Sequence, residues 1–382
     1  MRITGIICEY NPLHLGHKKQ LDTVRALRGE DSGIVCVMSG NFVQRGAPAI
    51  FDKTVRAKAA ILSGADLVLE LPITAALNSA EGFANGGVSI LSRFCDSLCF
   101  GAENPDADRF MRTAQVLLSD DFRSALRVKL DQGLSFPAAR QAALEAMGVD
   151  ASLLETPNNI LGVEYCKAIQ TLQSDMQILP ISRPGSYHDT APDPENPSAT
   201  ALRLQLLAGE SWQTFVPGQV RTLFENEALH HIGAGERAVL ARLRCMTAEE
   251  FEALPFSGEG LWRKLMHAVR EKSTLEEIIG ATKSKRYTRT RLDRMVMCAY
   301  LGITQKDMDT PAPYVRVLAL NGKGRTILKK ARQTGEFVNI GEHRDEPYQT
   351  LENRCSDLYG LFTTDTPGPA GQESKYRIYY HP

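Results

Sequence analysis

No stretch of this chain approaches the ~20 consecutive apolar residues that a membrane span needs, and the opening "MRITGIICEYNP" is too short and too interrupted in its apolar run for a secretory leader. Cysteine is present without organisation. The eight cysteines, at 8, 36, 95, 99, 166, 245, 298 and 355, form no CxxC pair and no Cys/His array with zinc spacing. Buried free thiols are therefore expected, as suits a reducing cytoplasm. Net charge is also nearly lacking, at −1. Such a balance excludes a globally basic nucleic-acid binder, so any such surface must be a local patch. There is no internal repeat and no low-complexity tract.

What remains is ordinary globular composition, 43% hydrophobic and 23% charged over 382 residues, enough for two or three domains. Short apolar runs at residues 3–9, 33–38, 67–71, 97–101 and 177–181 predict strands covered on both faces. Helical patterns at 17–27, 53–63, 80–94, 106–118, 137–147 and 159–173 fall between them. This alternation predicts an α/β fold with a Rossmann-like, doubly wound parallel sheet. "SATALRLQLLAGE" predicts a helix capped by Ser198. Beyond about residue 212 the pattern becomes almost entirely helical, until "YVRVLALN" predicts a strand and "GRTILKKARQ" a helix. The expected division is a catalytic domain over 1–212 and a mostly helical domain over 213–382.

Two stretches carry chemistry. In "HLGH", His14 and His17 flank Gly16 where the first strand turns into the first helix. A helix N-terminus exposes unpaired N–H groups and attracts anions. Glycine lets a phosphate approach the backbone, and two imidazoles can donate to oxygens that gain charge as pyrophosphate departs. The second is "NPSATALR", where Ser198, Thr200 and Arg203 open another helix. Their hydroxyls and guanidinium suit phosphate oxygens. A third, "TKSKRYTRTRLDR" at 282–294, concentrates Lys283, Lys285, Arg286, Arg289, Arg291 and Arg294 around Tyr287, against Asp293 alone. Cations with an interleaved tyrosine suit single-stranded RNA, through phosphate neutralisation and base stacking. Lys323, Arg325, Lys329 and Lys330 are expected to extend that track.

"HLGH" with "SATALR" resembles the paired motifs of the H-x-G-H nucleotidyltransferases. "EYNPLHLGH", "MSGNFVQRGAPAIFDK", "GADLVLELP", "FGAE", "TPNNILGVEY", "SRPGSYHD" and "SATALR" together resemble the bacterial tRNA(Met) cytidine acetate ligases. The resemblance runs over most of the chain and departs at Leu13 and Leu15, where Phe and often Asn are expected. It implies a ligase that joins ATP and acetate into acetyl-adenylate. The acetyl group then passes to N4 of the wobble cytidine of elongator tRNA(Met). His14, His17 and Arg203 would be catalytic. The ATP loop would comprise Ile7, Cys8, Glu9, Tyr10, Asn11, Pro12, Leu13, His14, Leu15, Gly16, His17, Lys18, Lys19 and Gln20. Gly101, Asn159 (Asn158 less so), Arg183, Ser198 and Thr200 would complete the nucleotide site, with Mg²⁺ riding on the phosphates. Glu9 and Glu103 are expected nearby as electrostatic or structural partners. No membrane and no protein partner is implied. Two other functions remain open: adenylyl transfer that makes a small cofactor, and RNA binding without catalysis.

Overall fold

The structure is a computed structural model and describes residues 1–183, 197–284, 286–344 and 346–382. The first half runs β1 (Ile3–Cys8), α1 (Leu15–Arg28), β2 (Gly33–Ser39), the hairpin β3 (Phe42–Val43) and β4 (Ala47–Pro48), α2 (Lys53–Leu62) and β5 (Leu67–Leu71). It continues with α3 (Ile73–Ala76), α4 (Ala80–Leu91), β6 (Ser97–Ala102), α5 (Ala107–Leu118), α6 (Asp120–Asp131), α7 (Phe136–Ala146), α8 (Pro157–Thr171), β7 (Gln177–Ser182) and α9 (Ala199–Ala208). The helical stretch comprises α10 (Gly218–Glu225), α11 (Ile232–Cys245), α12 (Ala248–Glu252), α13 (Leu261–Glu271), α14 (Leu275–Thr282), α15 (Arg289–Leu301) and α16 (Gln305–Asp309). Last come β8 (Val315–Asn321), α17 (Gly322–Ala331), β9 (Phe337–Asn339), α18 (Pro347–Tyr359) and β10 (Tyr379–His381).

Among the described residues the main sheet has the order β10-β8-β5-β2-β1-β6-β7, with β9 also on β8. β1 pairs in parallel with β2 on one side and β6 on the other. β1, β2 and β5 are buried on both faces, as their unbroken apolar runs predict. β7 differs: it is the edge strand, half exposed, and carries Pro180 where a sheet tolerates a missing donor. Two apolar clusters cover the two faces of the sheet, and a third fills the helical stretch.

The division at 212 needs amending. β8 pairs antiparallel with β5, so the sheet draws strands from beyond residue 213. The helical part proper ends before β8. Burial of charge explains the return. Lys53, Glu70, Arg316, Glu352 and Glu373 form one buried ionic cluster at the β5/β8 seam. Lys53 Nζ lies 3.1 Å from Glu70 and 2.8 Å from Glu373, while Arg316 lies 2.8 Å from both Glu70 and Glu352. Burial alone would raise the Glu373 carboxyl, but Lys53 and Arg316 outweigh it and hold the group at about 2. Each buried charge thus meets partners from both ends of the chain, without which burial would be prohibitive.

Candidate active site

The site forms where β1 ends. The backbone turns at Tyr10, whose φ is +46°, and α1 begins at Leu15 with His14 as its cap. This is a capping box built from imidazoles. The Gly16 N–H donates to His14 Nδ1 at 3.1 Å, and the His14 N–H donates to His17 Nδ1 at 3.3 Å. Both Nδ1 atoms act as acceptors, so in neutral rings the proton must sit on Nε2. The rings stack at 3.7 Å, and Tyr10 meets His17 edge-on at 5.0 Å. Among the described residues the buried His14 Nε2 has no hydrogen-bond partner. Burial first, then the charges of Arg183 and Arg203, lowers the His14 pKa to about 3. His17 is also lowered well below its ordinary value, by burial and then by His14 and Arg183. The pair is therefore neutral and presents N–H donors.

Gly16 serves the histidine as well as the approach of a ligand. A Cβ there would stand 3.0 Å from His14 Cε1 and 3.1 Å from Nδ1, and would crowd the capping ring.

The second motif lies against the first. The Pro197 carbonyl comes within 3.9 Å of the point where a Gly16 Cβ would be. Ser198 caps α9 as expected, accepting from the Ala201 N–H at 3.1 Å. Arg203 donates to the Asn11 carbonyl at 2.7 Å and to Thr200 Oγ1 at 3.1 Å. It thus ties α9 to the loop that carries the histidines. On the far side, Arg183 follows β7 and its stem covers Gly101, within 3.2–3.3 Å of the missing Cβ. Its guanidinium donates to Asn158 Oδ1 at 3.4 Å.

Several proposed contacts face elsewhere. Asn159 is buried, and its Oδ1 accepts from the Glu103 and Asn104 N–H groups at 3.1 and 3.4 Å. The Glu103 carboxylate accepts from Thr156, Asn158 and the Asn159 N–H, which makes it a clasp on the start of α8. Ile7 packs on Gly87, Leu13 is buried, and Asn11 Oδ1 accepts from the Ile50 N–H. Lys18 pairs with Asp22, Lys19 is exposed, and Gln20 points back to Cys99 Sγ at 3.7 Å. Sequence reasoning missed Arg56. Fully buried, it donates to the carbonyls of Glu9, Ser39, Gly40 and Phe51, and so ties the ends of β1 and β2. No local pattern marks it, because all its partners are backbone atoms.

The basic stretch is less bare than it reads. Arg286 pairs with Glu259, and Arg289 with Glu276 and Asp293. Tyr287 departs from its expected role as a base platform. It is 9% exposed, its hydroxyl donates to Glu259, and its ring lies under Arg291. Arg294 is 8% exposed, lies over Phe256 and approaches the Gln44 carbonyl. It packs one segment against another and offers no charge to solvent. Arg291 donates to the Phe256 carbonyl, Lys283 is exposed, and Lys285 lies outside the described residues. The second basic cluster does not extend the track. α17 starts beside Glu30 and Asp66, which precede β2 and β5, so Lys323 at its start lies at the amino ends of these strands, away from the carboxyl end of β1 that leads to the histidines. Most of "SRPGSYHD" also lies outside the described residues.

No helix among the described residues is long and apolar enough to cross a membrane. Residues 1–373 match the HIGH Nucleotidyl Transferase family. A tRNA(Met) cytidine acetate ligase of Acetivibrio thermocellus is 35% identical over 99% of each chain. One from Clostridium perfringens is 36% identical over 94% of this chain and 95% of that one. The crystal structure of apo Thermotoga maritima TmcAL superposes with a TM-score of 0.89 at 27% identity, covering 100% of both chains. The same protein bound with alpha-thio ATP gives 0.87 at 26% identity, again covering 100% of both. With likeness of this extent added to the imidazole-capped helix, the chain belongs to the HIGH nucleotidyltransferases and, within them, to the tRNA(Met) cytidine acetate ligases.

Proposed function

We propose that this protein activates acetate with ATP and acetylates N4 of the wobble cytidine in elongator tRNA(Met). The observation that carries the reading is the neutral, stacked histidine pair at the start of α1. An acetate oxygen attacks the α-phosphorus, the bond from that phosphorus to the bridging oxygen breaks, and pyrophosphate leaves. The His14 and His17 Nε2–H groups donate to the phosphate oxygens that gain charge. Neutral donors strengthen as that charge grows, so they favour the transition state over bound ATP. Ser198, Thr200 and Arg203 bind phosphate from the α9 side, and Arg183 neutralises further charge. In the second step cytidine N4 attacks the acetyl carbon, the bond from that carbon to the phosphate oxygen breaks, AMP leaves and N4 loses a proton.

Among the described residues no cluster of three His, Cys, Asp or Glu side chains could hold a metal ion. The Glu9 carboxylate accepts from the Gln44 N–H, and Glu103 clasps α8. Mg²⁺ would ride on the ATP phosphates, where a divalent cation neutralises charge. tRNA meets the exposed cations Lys283, Arg286 and Arg289, and the carboxylates paired with the two arginines give way to RNA phosphates. A tRNA substrate goes with a cytoplasmic site of action.

The test is incorporation of labelled acetate into total tRNA. Label is expected in tRNA only when ATP is present. Absence of label, or equal label without ATP, overturns the reading. A cofactor-making transferase would instead release pyrophosphate with a small-molecule acceptor and without acetate.

A further inference from the structure

The nucleotide-facing groups gather on one side of β1: Gly101 ends β6, Arg183 follows β7, and Pro197 approaches Gly16. On the other side β2 runs straight into the β3–β4 hairpin. In an open α/β sheet ligands meet beyond the carboxyl ends of the strands. The hairpin therefore borders the side left for the second substrate.

That hairpin is firmly built. The Gln44 N–H donates to Glu9 Oε1 at 2.7 Å, and Gln44 Nε2 donates to the Asn78 carbonyl at 3.0 Å. Gly46 has φ +79° and presses on α15; a Cβ there would fall 2.4 Å from Arg294 N and from the Asp293 carbonyl carbon. Phe42 meets Tyr359 and Phe362 edge-on. Among the described residues from 32 to 63, Arg45 alone is exposed. Its charge also helps to lower the Glu9 carboxyl, against a larger upward push from burial. A rigid turn thus places one exposed arginine between the histidine loop and α15, the helix that carries the end of the basic stretch.

Resting on the acetylation reading above, we propose that Arg45 binds a backbone phosphate of the RNA substrate beside the reacting cytidine. A guanidinium grips phosphate through two parallel N–H bonds, which fixes direction as well as distance. Arg45 is thus the contact that brings N4 to the adenylate, and the hairpin makes its position independent of RNA.

The experiment compares wild type, Arg45→Ala and Arg45→Lys. For Arg45→Ala the KM for tRNA is expected to rise about ten-fold, and the slope of log affinity against log salt to fall by ~0.7, one phosphate's worth for single-stranded RNA. Acetate-dependent exchange of pyrophosphate into ATP reads the half-reaction that needs no tRNA, and should change less than about two-fold. Lys should restore the salt slope but only part of the KM, because an ammonium cannot make the two parallel bonds, and a Lys variant as poor as Ala in both would overturn the phosphate contact. Loss of exchange in Arg45→Ala would assign the residue to the nucleotide phosphates and overturn the proposal. So would a wild-type KM with a wild-type salt slope. If wild type itself shows no exchange, the acetylation reading falls; filter binding of tRNA across salt concentrations then decides on Arg45 alone.

Discussion

At the start of α1, a buried and a half-buried imidazole are uncharged and locked by backbone N–H groups. Around the start of α15, exposed arginines carry full charge and pair with carboxylates from other segments. Both regions are proposed to handle phosphate, yet by opposite means. The first relies on fixed dipoles in a dry setting, where orientation is prepaid and salt has little effect. The second relies on exchangeable ion pairs in water, which salt weakens. Chemistry at one phosphorus needs fixed geometry, whereas a long RNA surface needs reversible contact.

The largest effect should come from the first region. His17→Ala is expected to lower acetate-dependent pyrophosphate exchange by ~10²–10³-fold, the usual cost of one oxyanion donor, while tRNA binding by filter assay stays near wild type. Comparable losses in both measurements would erase the contrast. Gly16→Val should lower exchange by ~10²-fold, because its Cβ crowds His14 and small misplacements are costly. The replacement Arg286→Ala, Arg289→Ala and Arg291→Ala together should do the reverse: exchange is preserved and tRNA affinity falls about ten-fold with a shallower salt slope. The smallest effect sharpens the comparison most. Glu276→Gln releases Arg289 from a competing carboxylate and should tighten tRNA binding by about two-fold at low salt.

The neutral pair also has a pH signature. His14 binds its proton near 6.5 when unfolded and near 3 when folded. The unfolded chain is thus the better base between those values, so stability is full above pH 6.5 and is lost as pH falls toward 3. The limiting slope from this residue is about 1.4 kcal/mol per pH unit. Denaturant titrations from pH 7 to pH 4 on wild type and His14→Ala check this: the variant should show a smaller loss.

The same contrast explains what the sequence disclosed. The strands read at 33–38, 67–71 and 97–101 and the cap at Ser198 follow from residues adjacent in the chain and were readable there, whereas the His14 cap was not, and the first helix was begun two residues late. α6 is mostly exposed, fully buries only Phe122 and escaped detection. The acids facing the basic stretch come from Glu259 and Glu276, outside the window in which it looked bare. Tyr287 and Arg294 read as surface groups because their neighbours are charged, whereas helical packing turns both inward. The antiparallel placement of β8 was likewise hidden, since an apolar run does not record its direction or its partner.

The ionic cluster at the β5/β8 seam bears on biosynthesis. Lys53 leaves the ribosome 320 residues before Glu373, the last of the cluster, completes its surroundings. Until then, closing the centre of the sheet would strand charge in an apolar interior, at about 3–5 kcal/mol for each broken pair. The seam is therefore completed only when Glu373, beyond α18, has emerged, and a chain cut short before it leaves Lys53 and Arg316 without one of their carboxylates.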